Sequence, residues 1–321
     1  MAERAGNIID SIEHSKTQEH RAETWVTNVL HDNSNICPDR ATQSKYDGMQ
    51  ANRAAGAKQS HEVHQGTEMS WNTYHTYKSE CKPLAVFVQT EFGLRDIYQL
   101  TPTMVSDYLV KVVDCEVKYD TFTKICSAIE KFCTCINDHN GGERQDFHRV
   151  IDDFKESAKE ALPASDFTSR AFENPEAVIE NLSNEKFQIV AELQYTCGLR
   201  ISDACHITPD MIKGVALADI NSKNGQLHTV TPSAELMGRI QAVVASEGQF
   251  SVNRNAYAYD LRKASAAAGE SNSSSHSFRH SFAQDRMAYW TSEGLSYQDA
   301  LQHVSEEMGH HRPEITEWYL R

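Results

Sequence analysis

The sequence predicts a mainly α fold with a small β-sheet, built as a helical N-terminal bundle followed by a mostly helical second domain. Apolar residues recur at intervals of three and four along residues 71–162, and again in the second half of the chain, as in helices that bury one face. Two apolar runs, 215–220 and 227–232, flank Asn224-Gly225, which is the strongest short hairpin signal. The polar stretch PASDFTSRAFENPEAV separates the two helical regions.

Four helices are predicted in the first region, where they form a bundle. One of them opens on a threonine suited to an N-cap and carries Val105, Tyr108, Leu109 and Val112 on one face. The four stretches are WNTYHTYKSECKPLAVFVQTEFG, TPTMVSDYLVKVV, KYDTFTKICSAIEKFCTCIN and DFHRVIDDFKESAKEAL. In the second region, helices are predicted in NEKFQIVAELQYTCG, from about residue 201, in SAELMGRIQAVVAS, in RNAYAYDLRKASAAAG and from about residue 277 to the end.

These patterns divide the chain into three parts. Residues 1–65 are polar with few aromatic side chains, and we expect an N-terminal extension, an arm that contains short helices. Residues 66–165 are expected to form the helical bundle, and residues 166–321 the second domain. The length is sufficient for two cores.

The composition narrows the classes of function. The net charge is −14 and the pI about 5.5, which argues against a protein that coats nucleic acid and, taken alone, favours a small-molecule enzyme. No run of about 18 apolar residues occurs, and the N-terminus lacks the apolar core of a secretory signal, so we expect an intracellular protein. The eight cysteines include no CxxC pair and are expected to be free, mostly buried thiols.

Four places in the second domain carry side chains suited to chemistry. In CGLRISDA, Gly198 ends one helix and Arg200 begins the next, although a lone GLR is more often an exposed helix arginine. Lys223 lies at the hairpin tip, where a solvated turn lysine is the common alternative to a mobile cation. In SSSHSFRHSFAQDR, His276 and Arg279 are three residues apart and share one helix face.

The fourth place is MGHHRPEITEWYLR at the end of the sequence. Gly309 precedes His310, and Tyr319 follows nine residues later. His310 and His311 are adjacent, so only one of them is expected to face a shared site. The pairing with glycine and the spacing to the tyrosine favour His310.

In this order, the pieces CGLRISDA, SKNG, HSFRH and MGHHRPEITEWYLR resemble the tyrosine recombinase (phage integrase) family, most of all the integrases of bacterial integrative elements and prophages. The resemblance covers the second domain and extends to the bundle. It implies an N-terminal helical core-binding (SAM-like) bundle and a C-terminal catalytic domain. The implied activity is site-specific recombination, in which DNA strands are cleaved and rejoined through a 3′-phosphotyrosine intermediate without ATP, integrating or excising a mobile element.

The resemblance also implies a role for each matching residue. Arg200 and Arg279 would stabilise the charge on the phosphate oxygens in the transition state, a task that planar guanidinium groups suit. Tyr319 would be the nucleophile, and Lys223 would donate a proton to the leaving 5′-oxygen. His276 would accept the proton of the tyrosine or bond the phosphate.

Two further roles follow from the same resemblance. His310 would donate a hydrogen bond to a phosphate oxygen. Asp203 would orient the site, with ordinary helix surface as its alternative. Only Leu320 and Arg321 follow Tyr319, which departs from the family pattern of protomers linked through C-terminal tails. This leaves open whether the tail has been trimmed or the protomer contacts come from elsewhere.

The implied partners are double-stranded DNA recombination sites, bound by a homotetramer on two duplexes, with accessory DNA-bending factors as an option. No cofactor, metal or membrane is implied, and a cytoplasmic, nucleoid-associated bacterial protein is expected. Four cations of the first 65 residues are weaker candidates for DNA contacts than for a surface arm: Arg40, Lys45, Arg53 and Lys58. To reconcile the net charge with DNA binding, we expect basic inner faces and an acidic outer surface.

Three alternatives stay open. A family member that no longer cuts would act as a regulatory DNA-binding protein, and its mark would be a lost catalytic residue, of which the sequence has none. A type IB topoisomerase-like or hairpin-forming relative would keep the chemistry and change the outcome. A zinc hydrolase built on His276 and His280 would need glutamate in place of Ser277 and a third ligand, so no metal is expected.

Overall fold

The computed structural model describes residues 8–32, 45–57, 71–141, 145–164, 169–222, 226–310 and 313–320. The chain divides into two compact units, 1–166 and 167–321, each with its own apolar core. The described residues are mainly helical with small sheets, which confirms the predicted fold class. None of the described helices is long and apolar enough to cross a membrane.

The first unit is a helical bundle around one buried cluster. Its described helices are α1 (Lys16–Asp32), α2 (Lys45–Ala54), α3 (Trp71–Glu91), α4 (Pro102–Asp114), α5 (Tyr119–Asn140) and α6 (Phe147–Ala161). The four helices predicted in residues 71–162 are confirmed as α3 to α6. Thr101 is the N-cap of α4, because its Oγ1 accepts a hydrogen bond from the Met104 amide at 3.3 Å. The predicted apolar face of α4 is buried.

Helix α1 is part of this bundle. It packs along α3, and Val26, Val29 and Leu30 lie in the same buried cluster as Leu84 and Val88. An apolar stripe on an otherwise polar helix is stable only when another element covers it. This part of the predicted N-terminal extension therefore shares the core of the bundle.

The second unit surrounds small antiparallel sheets with helices. Its helices are α7 (Pro175–Glu180), α8 (Glu185–Thr196), α9 (Ile201–Ala204), α10 (Ala234–Glu247), α11 (Arg254–Ala267), α12 (Ser275–Ser292), α13 (Tyr297–Glu307) and α14 (Pro313–Glu317). Its strands are β1 (His206–Ile207), β2 (Ile212–Lys213), β3 (Ala216–Ser222), β4 (Gln226–Val230) and β5 (Phe250–Ser251). Strands β2, β3 and β4 form one sheet, and β1 pairs with β5. The predicted hairpin is confirmed as β3 and β4, and its turn, residues 223–225, lies outside the described residues.

The end of the chain differs from the single helical stretch predicted from about residue 277. It consists of α12, α13 and α14. Gly294 follows the last residues of α12 with φ 92°, and Gly309 follows those of α13 with φ 63°. A left-handed glycine at this position ends a helix, so the chain changes direction twice.

A β-bulge in β3 determines which residues of β4 face the interior. Leu217 pairs with Val230 and Ile220 with His228, so three steps along β3 match two steps along β4. Asp219 lies within this bulge and has a left-handed backbone conformation, with φ 56°. Leu217, Ile220 and Val230 are buried, and the two-residue period of a strand places His228 on the same face of β4 as Val230.

Candidate active site

Helix α12 presents two adjacent buried side chains toward the end of the chain. Its N-cap is Ser274, whose Oγ accepts a hydrogen bond from the His276 amide at 3.2 Å. Phe278 anchors the helix in the core of the unit. The next two residues, Arg279 and His280, are only 1% and 7% exposed. Burying a guanidinium is costly unless other groups compensate its charge, so the surroundings of Arg279 define the site.

The guanidinium of Arg279 touches three groups from the end of the chain. Its Nη2 lies 3.1 Å from Nε2 of His310 and donates to the Met308 carbonyl at 3.4 Å. Its Cζ lies 5.4 Å from the centre of the Tyr319 ring, within cation–π range. Its Nε is buried and has no hydrogen-bond partner among the described residues. Burial lowers the pKa of Arg279 to about 10, Tyr319 opposes the shift and Arg200 adds to it, so the group stays charged at neutral pH.

A glycine turn at the end of α13 carries His310 into the interior. The Gly309 amide donates to the Glu306 carbonyl at 2.9 Å, and the His310 amide donates to the Ser305 carbonyl at 2.8 Å. These are the two hydrogen bonds of a Schellman motif, which requires a left-handed residue. A Cβ at Gly309 would also lie 3.2 Å from Nδ1 of His228. The Gly-His pair of the sequence is therefore a sharp helix end that turns the imidazole inward.

The contacts of His310 determine its tautomer. Its Nδ1 lies 2.9 Å from Oγ1 of Thr316, and its Nε2 faces Nη2 of Arg279. A guanidinium N–H can only donate, so Nε2 accepts and the ring proton lies on Nδ1, which donates to Thr316. His310 is therefore a neutral imidazole that joins Arg279 to α14. This tautomer lacks the Nε2 proton that donation to a phosphate oxygen would need.

Tyr319 is held beside these groups by its main chain. Its amide donates to the Thr316 carbonyl at 2.9 Å, and its carbonyl accepts from Nδ1 of His280 at 3.1 Å. Its ring centre lies 5.3 Å from that of His310 and 4.8 Å from that of His280. The half-buried ring packs on the apolar cluster of α12 and α13. A phenol and the buried guanidinium of Arg279 are thus brought together.

A second glycine brings the Arg200 loop against α12. Gly198 follows α8 with φ 63°, and a Cβ there would lie 2.7 Å from the Phe282 ring. Arg200 is the half-buried N-cap residue of α9. Burial and, to a smaller extent, the charge of Arg200 lower the pKa of both Arg279 and His228. Arg200 therefore lies within electrostatic range of both side chains.

Asp203 supplies a negative charge to the same site. It is buried, and its Oδ1 accepts a hydrogen bond from the Ser202 hydroxyl at 2.7 Å. Its charge opposes the burial-driven fall in the pKa of Arg279. A buried carboxylate within electrostatic range of the Arg279 guanidinium reduces the cost of holding that cation away from water.

His228 belongs to this site although the sequence motifs do not single it out. Burial lowers its pKa most, the charges of Arg279 and Arg200 lower it further, and Asp203 opposes them. Its Nε2 is buried and has no hydrogen-bond partner among the described residues. The only sequence signal is the strand period, which puts His228 on the inner face of β4 together with the apolar Val230.

The structure brings together part of the predicted set. Arg279, His310 and Tyr319 are in contact, and the charges of Arg200 and Asp203 act on Arg279 from nearby. His276 is exposed in the first turn of α12, and its charge acts on His280. Lys223, His311, Arg40 and Lys58 lie outside the described residues, as does the side chain of Lys45, and Arg53 is a half-buried residue of α2 in the first unit.

The arrangement suits an anion placed next to a phenol. Arg279 keeps a buried N–H donor that none of the described residues uses, and charge-assisted hydrogen bonds are strong where water is excluded. A hydroxyl group held beside such cations can attack an electrophile whose negative charge the cations stabilise. Within the described ranges, no three His, Cys, Asp or Glu side chains are close enough to hold a metal ion.

Comparisons with known proteins point to one family. The model of the phage integrase family matches residues 172–321. A lambda integrase dimer bound to a COC′ core site is 14% identical, with a TM-score of 0.50 over 85% of this chain and 93% of that chain. The Tn1549 transposon integrase in complex with a circular intermediate DNA is 13% identical, with a TM-score of 0.50 over 87% of this chain and 95% of that chain. At sequence identities this low, the structural likeness shows a shared fold. The comparison with curated proteins found no match to the sequence.

Proposed function

Residues 172–321 of this chain belong to the phage integrase family, and on that premise we propose that the protein is a site-specific DNA recombinase. It cleaves and rejoins DNA strands through a 3′-phosphotyrosine intermediate, and so integrates or excises a mobile element. The two-unit, mainly helical fold of tyrosine recombinases supports this proposal.

The contact between Tyr319, Arg279 and His310 carries the proposal. The three side chains come from α12 and from the two turns that flank α14. Nη2 of the guanidinium lies 3.1 Å from Nε2 of the imidazole, and its Cζ lies 5.4 Å from the centre of the phenol ring. A structural core would bury apolar groups here, because a desolvated guanidinium is costly. Its retention at 1% exposure is understandable if a phosphate oxygen becomes its partner.

In the proposed reaction, the Tyr319 oxygen attacks the phosphorus of the scissile phosphodiester. A bond from that oxygen to phosphorus forms, and the bond from phosphorus to the 5′-oxygen breaks. The phenol proton passes to His276, and the 5′-oxygen takes a proton from Lys223. Arg200 and Arg279 stabilise the extra negative charge on the non-bridging oxygens. Attack by the 5′-hydroxyl of a partner strand reverses the step and releases the tyrosine.

His310 needs a change of partner in this scheme. Its Nε2 accepts from Arg279, so it cannot at the same time donate to phosphate. When a phosphate oxygen takes the Arg279 N–H, the imidazole must gain a proton at Nε2 to act as a donor. Asp203 supports the site by offsetting the two guanidinium charges, and it does not need to touch the phosphate.

The proposed partner is duplex DNA. Structures of the lambda and Tn1549 integrases contain DNA, which supports the same class of partner for this chain. We further propose a homotetramer on two duplexes, accessory bending factors, basic inner faces opposite the acidic outer surface, and a place on the bacterial nucleoid. The cations Arg40, Lys45, Arg53 and Lys58 are proposed as secondary DNA contacts. The affinity for DNA should fall steeply as the salt concentration rises. The net charge is −14, so binding depends on local groups of cations.

A covalent adduct tests the proposal. Nicked duplexes that tile the DNA on both sides of the coding sequence would be incubated with the protein, and cleavage next to the nick would trap the intermediate. We expect a protein–DNA adduct that survives denaturation and maps by mass spectrometry to Tyr319. Tyr319→Phe removes the attacking oxygen, so it should abolish the adduct while DNA binding remains.

Tyr289→Phe is the matched control, since Tyr289 is an exposed tyrosine of α12. It should leave the adduct unchanged. An adduct that persists in Tyr319→Phe would overturn the assignment of the nucleophile. Binding without any adduct in the wild type would favour the regulatory, cleavage-deficient alternative. Relaxation of supercoiled plasmid without a specific site would favour the topoisomerase-like alternative.

A further inference from the structure

We propose that His280 is a positioning residue that holds the main chain of Tyr319, and with it the phenol, in the attacking position. This inference rests on the proposed function of Tyr319. The supporting observation is a direct contact, since Nδ1 of His280 lies 3.1 Å from the Tyr319 carbonyl oxygen. The two residues are far apart in the chain and meet only in the folded unit.

The donor in this contact is well defined. A carbonyl oxygen only accepts, so Nδ1 of His280 carries the proton and donates it. Burial lowers the pKa of His280 to about 4, the bond to the Tyr319 carbonyl opposes this, and the charges of Arg170, His276 and Arg279 add to the lowering. The imidazole is therefore neutral near pH 7 and has a single N–H, which the tyrosine main chain uses.

The contact closes a ring of interactions around the site. Arg279 joins His310 at 3.1 Å, and His310 joins the Thr316 side chain at 2.9 Å. The Thr316 carbonyl accepts a hydrogen bond from the Tyr319 amide at 2.9 Å, and the Tyr319 carbonyl accepts one from His280. His280 is the neighbour of Arg279 on α12, which completes the ring. Both main-chain polar groups of Tyr319, the amide and the carbonyl, are thereby hydrogen-bonded. Only the side-chain torsions of the tyrosine remain to be set when a phosphate arrives.

A position fixed in this way should raise the rate of attack. A displacement of a nucleophile by about 1 Å lowers the rate on the order of a hundredfold. The bond holds Tyr319 through its backbone, so it acts whichever rotamer the phenol adopts. His280 does not touch the reacting atoms in this scheme, which distinguishes it from His276 and His310.

Three substitutions separate positioning from simple packing. His280→Asn keeps an amide N–H two bonds from Cβ, as Nδ1 of histidine is, and so retains the donor. His280→Gln moves that N–H one carbon further out, and His280→Leu removes it while keeping apolar bulk. Asn and Gln form the matched pair, since they have the same polar group and differ only in reach.

The first measurement is hydrogen exchange of the full-length protein, read by mass spectrometry in peptides that cover residues 313–320. We expect this segment to exchange roughly fivefold faster in His280→Gln and His280→Leu, and near the wild-type rate in His280→Asn. The second measurement is the single-turnover rate of adduct formation on the nicked duplex. It should fall about tenfold or more in Gln and Leu and stay within about threefold of wild type in Asn.

Equal exchange in Asn and Gln, or wild-type exchange in a folded Leu variant, would overturn the positioning role. If His280→Leu does not fold, the Asn and Gln pair decides the question by the same criterion. Tyr319→Phe separates the two proposals, because it tests the nucleophile and leaves the main-chain bond in place. A persisting adduct in Tyr319→Phe with fast exchange in His280→Gln would therefore overturn Tyr319 as the nucleophile and keep the contact between His280 and the main chain of residue 319.

Discussion

At the residue scale, three glycines of the second unit share one backbone conformation and differ in what surrounds them. Gly198, Gly214 and Gly309 have φ values of 63°, 64° and 63°. A Cβ would lie 2.7 Å from Phe282 at the first, 3.2 Å from His228 at the third, and would meet nothing within 4 Å at Gly214. The backbone strain of an L-residue is therefore common to all three, and the steric contact is not.

Alanine at the three positions should separate these two costs. Gly214→Ala should destabilise the protein by about 1–2 kcal/mol, the cost of a left-handed L-residue. Gly198→Ala should cost about 1–3 kcal/mol more, because the Phe282 ring must move in a packed core. Gly309→Ala should fall between them and should also slow adduct formation by displacing His228. Urea unfolding checks the order, and equal losses at all three positions would contradict the steric account.

At the level of single elements, Lys78 and Lys82 of α3 form ion pairs with two glutamates of α1, one of them between Lys82 and Glu23 at 3.7 Å. Nζ of Lys82 lies 2.7 Å from Glu19, and Nζ of Lys78 lies 3.2 Å from Glu23. These lysines lower the pKa of both glutamates. The folded-state pKa is the lower one, so the stabilisation is present above the ordinary glutamate pKa and is lost as the pH falls through the folded value. The glutamates are 38% and 47% exposed, which limits each pair to less than about 1 kcal/mol.

Acid should therefore loosen α1 before it unfolds the bundle. Hydrogen-exchange protection factors of residues 16–32, which correct for the intrinsic exchange rate, should hold from pH 7 down to the ordinary glutamate pKa of 4.5 and fall as the pH is lowered further. In Lys82→Met they should be a few-fold lower at pH 7 and should change less with pH. Lys124→Met is the control, because Lys124 pairs with Glu80 at 3.0 Å away from α1. Equal loss of protection in the two variants would contradict a local role for the ion pair.

At the scale of the whole molecule, the described residues form separate cores. The buried cluster of the first unit shares no residue with the clusters of the second. A unit with its own core folds alone when few contacts cross its boundary. We expect fragments 1–166 and 167–321 to fold independently. The full chain should show two cooperative thermal transitions, and each fragment should unfold cooperatively at a temperature close to one of them. Circular dichroism and calorimetry check this, and a fragment without a cooperative transition would contradict it.

Features that depend on neighbours along the chain could be predicted from the amino-acid sequence. Helix periods, the Thr101 cap and the hairpin of β3 and β4 are local, because each follows from a few adjacent residues and their backbone preferences. The motifs around Arg200, Arg279, His310 and Tyr319 also pointed to one site, since their order resembles a known family.

The way the site is held depends on contacts between residues that are far apart in the chain. Arg279 meets His310 across 31 residues, and His280 meets Tyr319 across 39, so no local pattern specifies either contact. The tautomer of His310, the burial of Arg279 and the entry of His228 depend on which groups packing brings together and on how much water they exclude. Side-chain identity sets which chemistry is available, and the distances that select it arise from long-range packing.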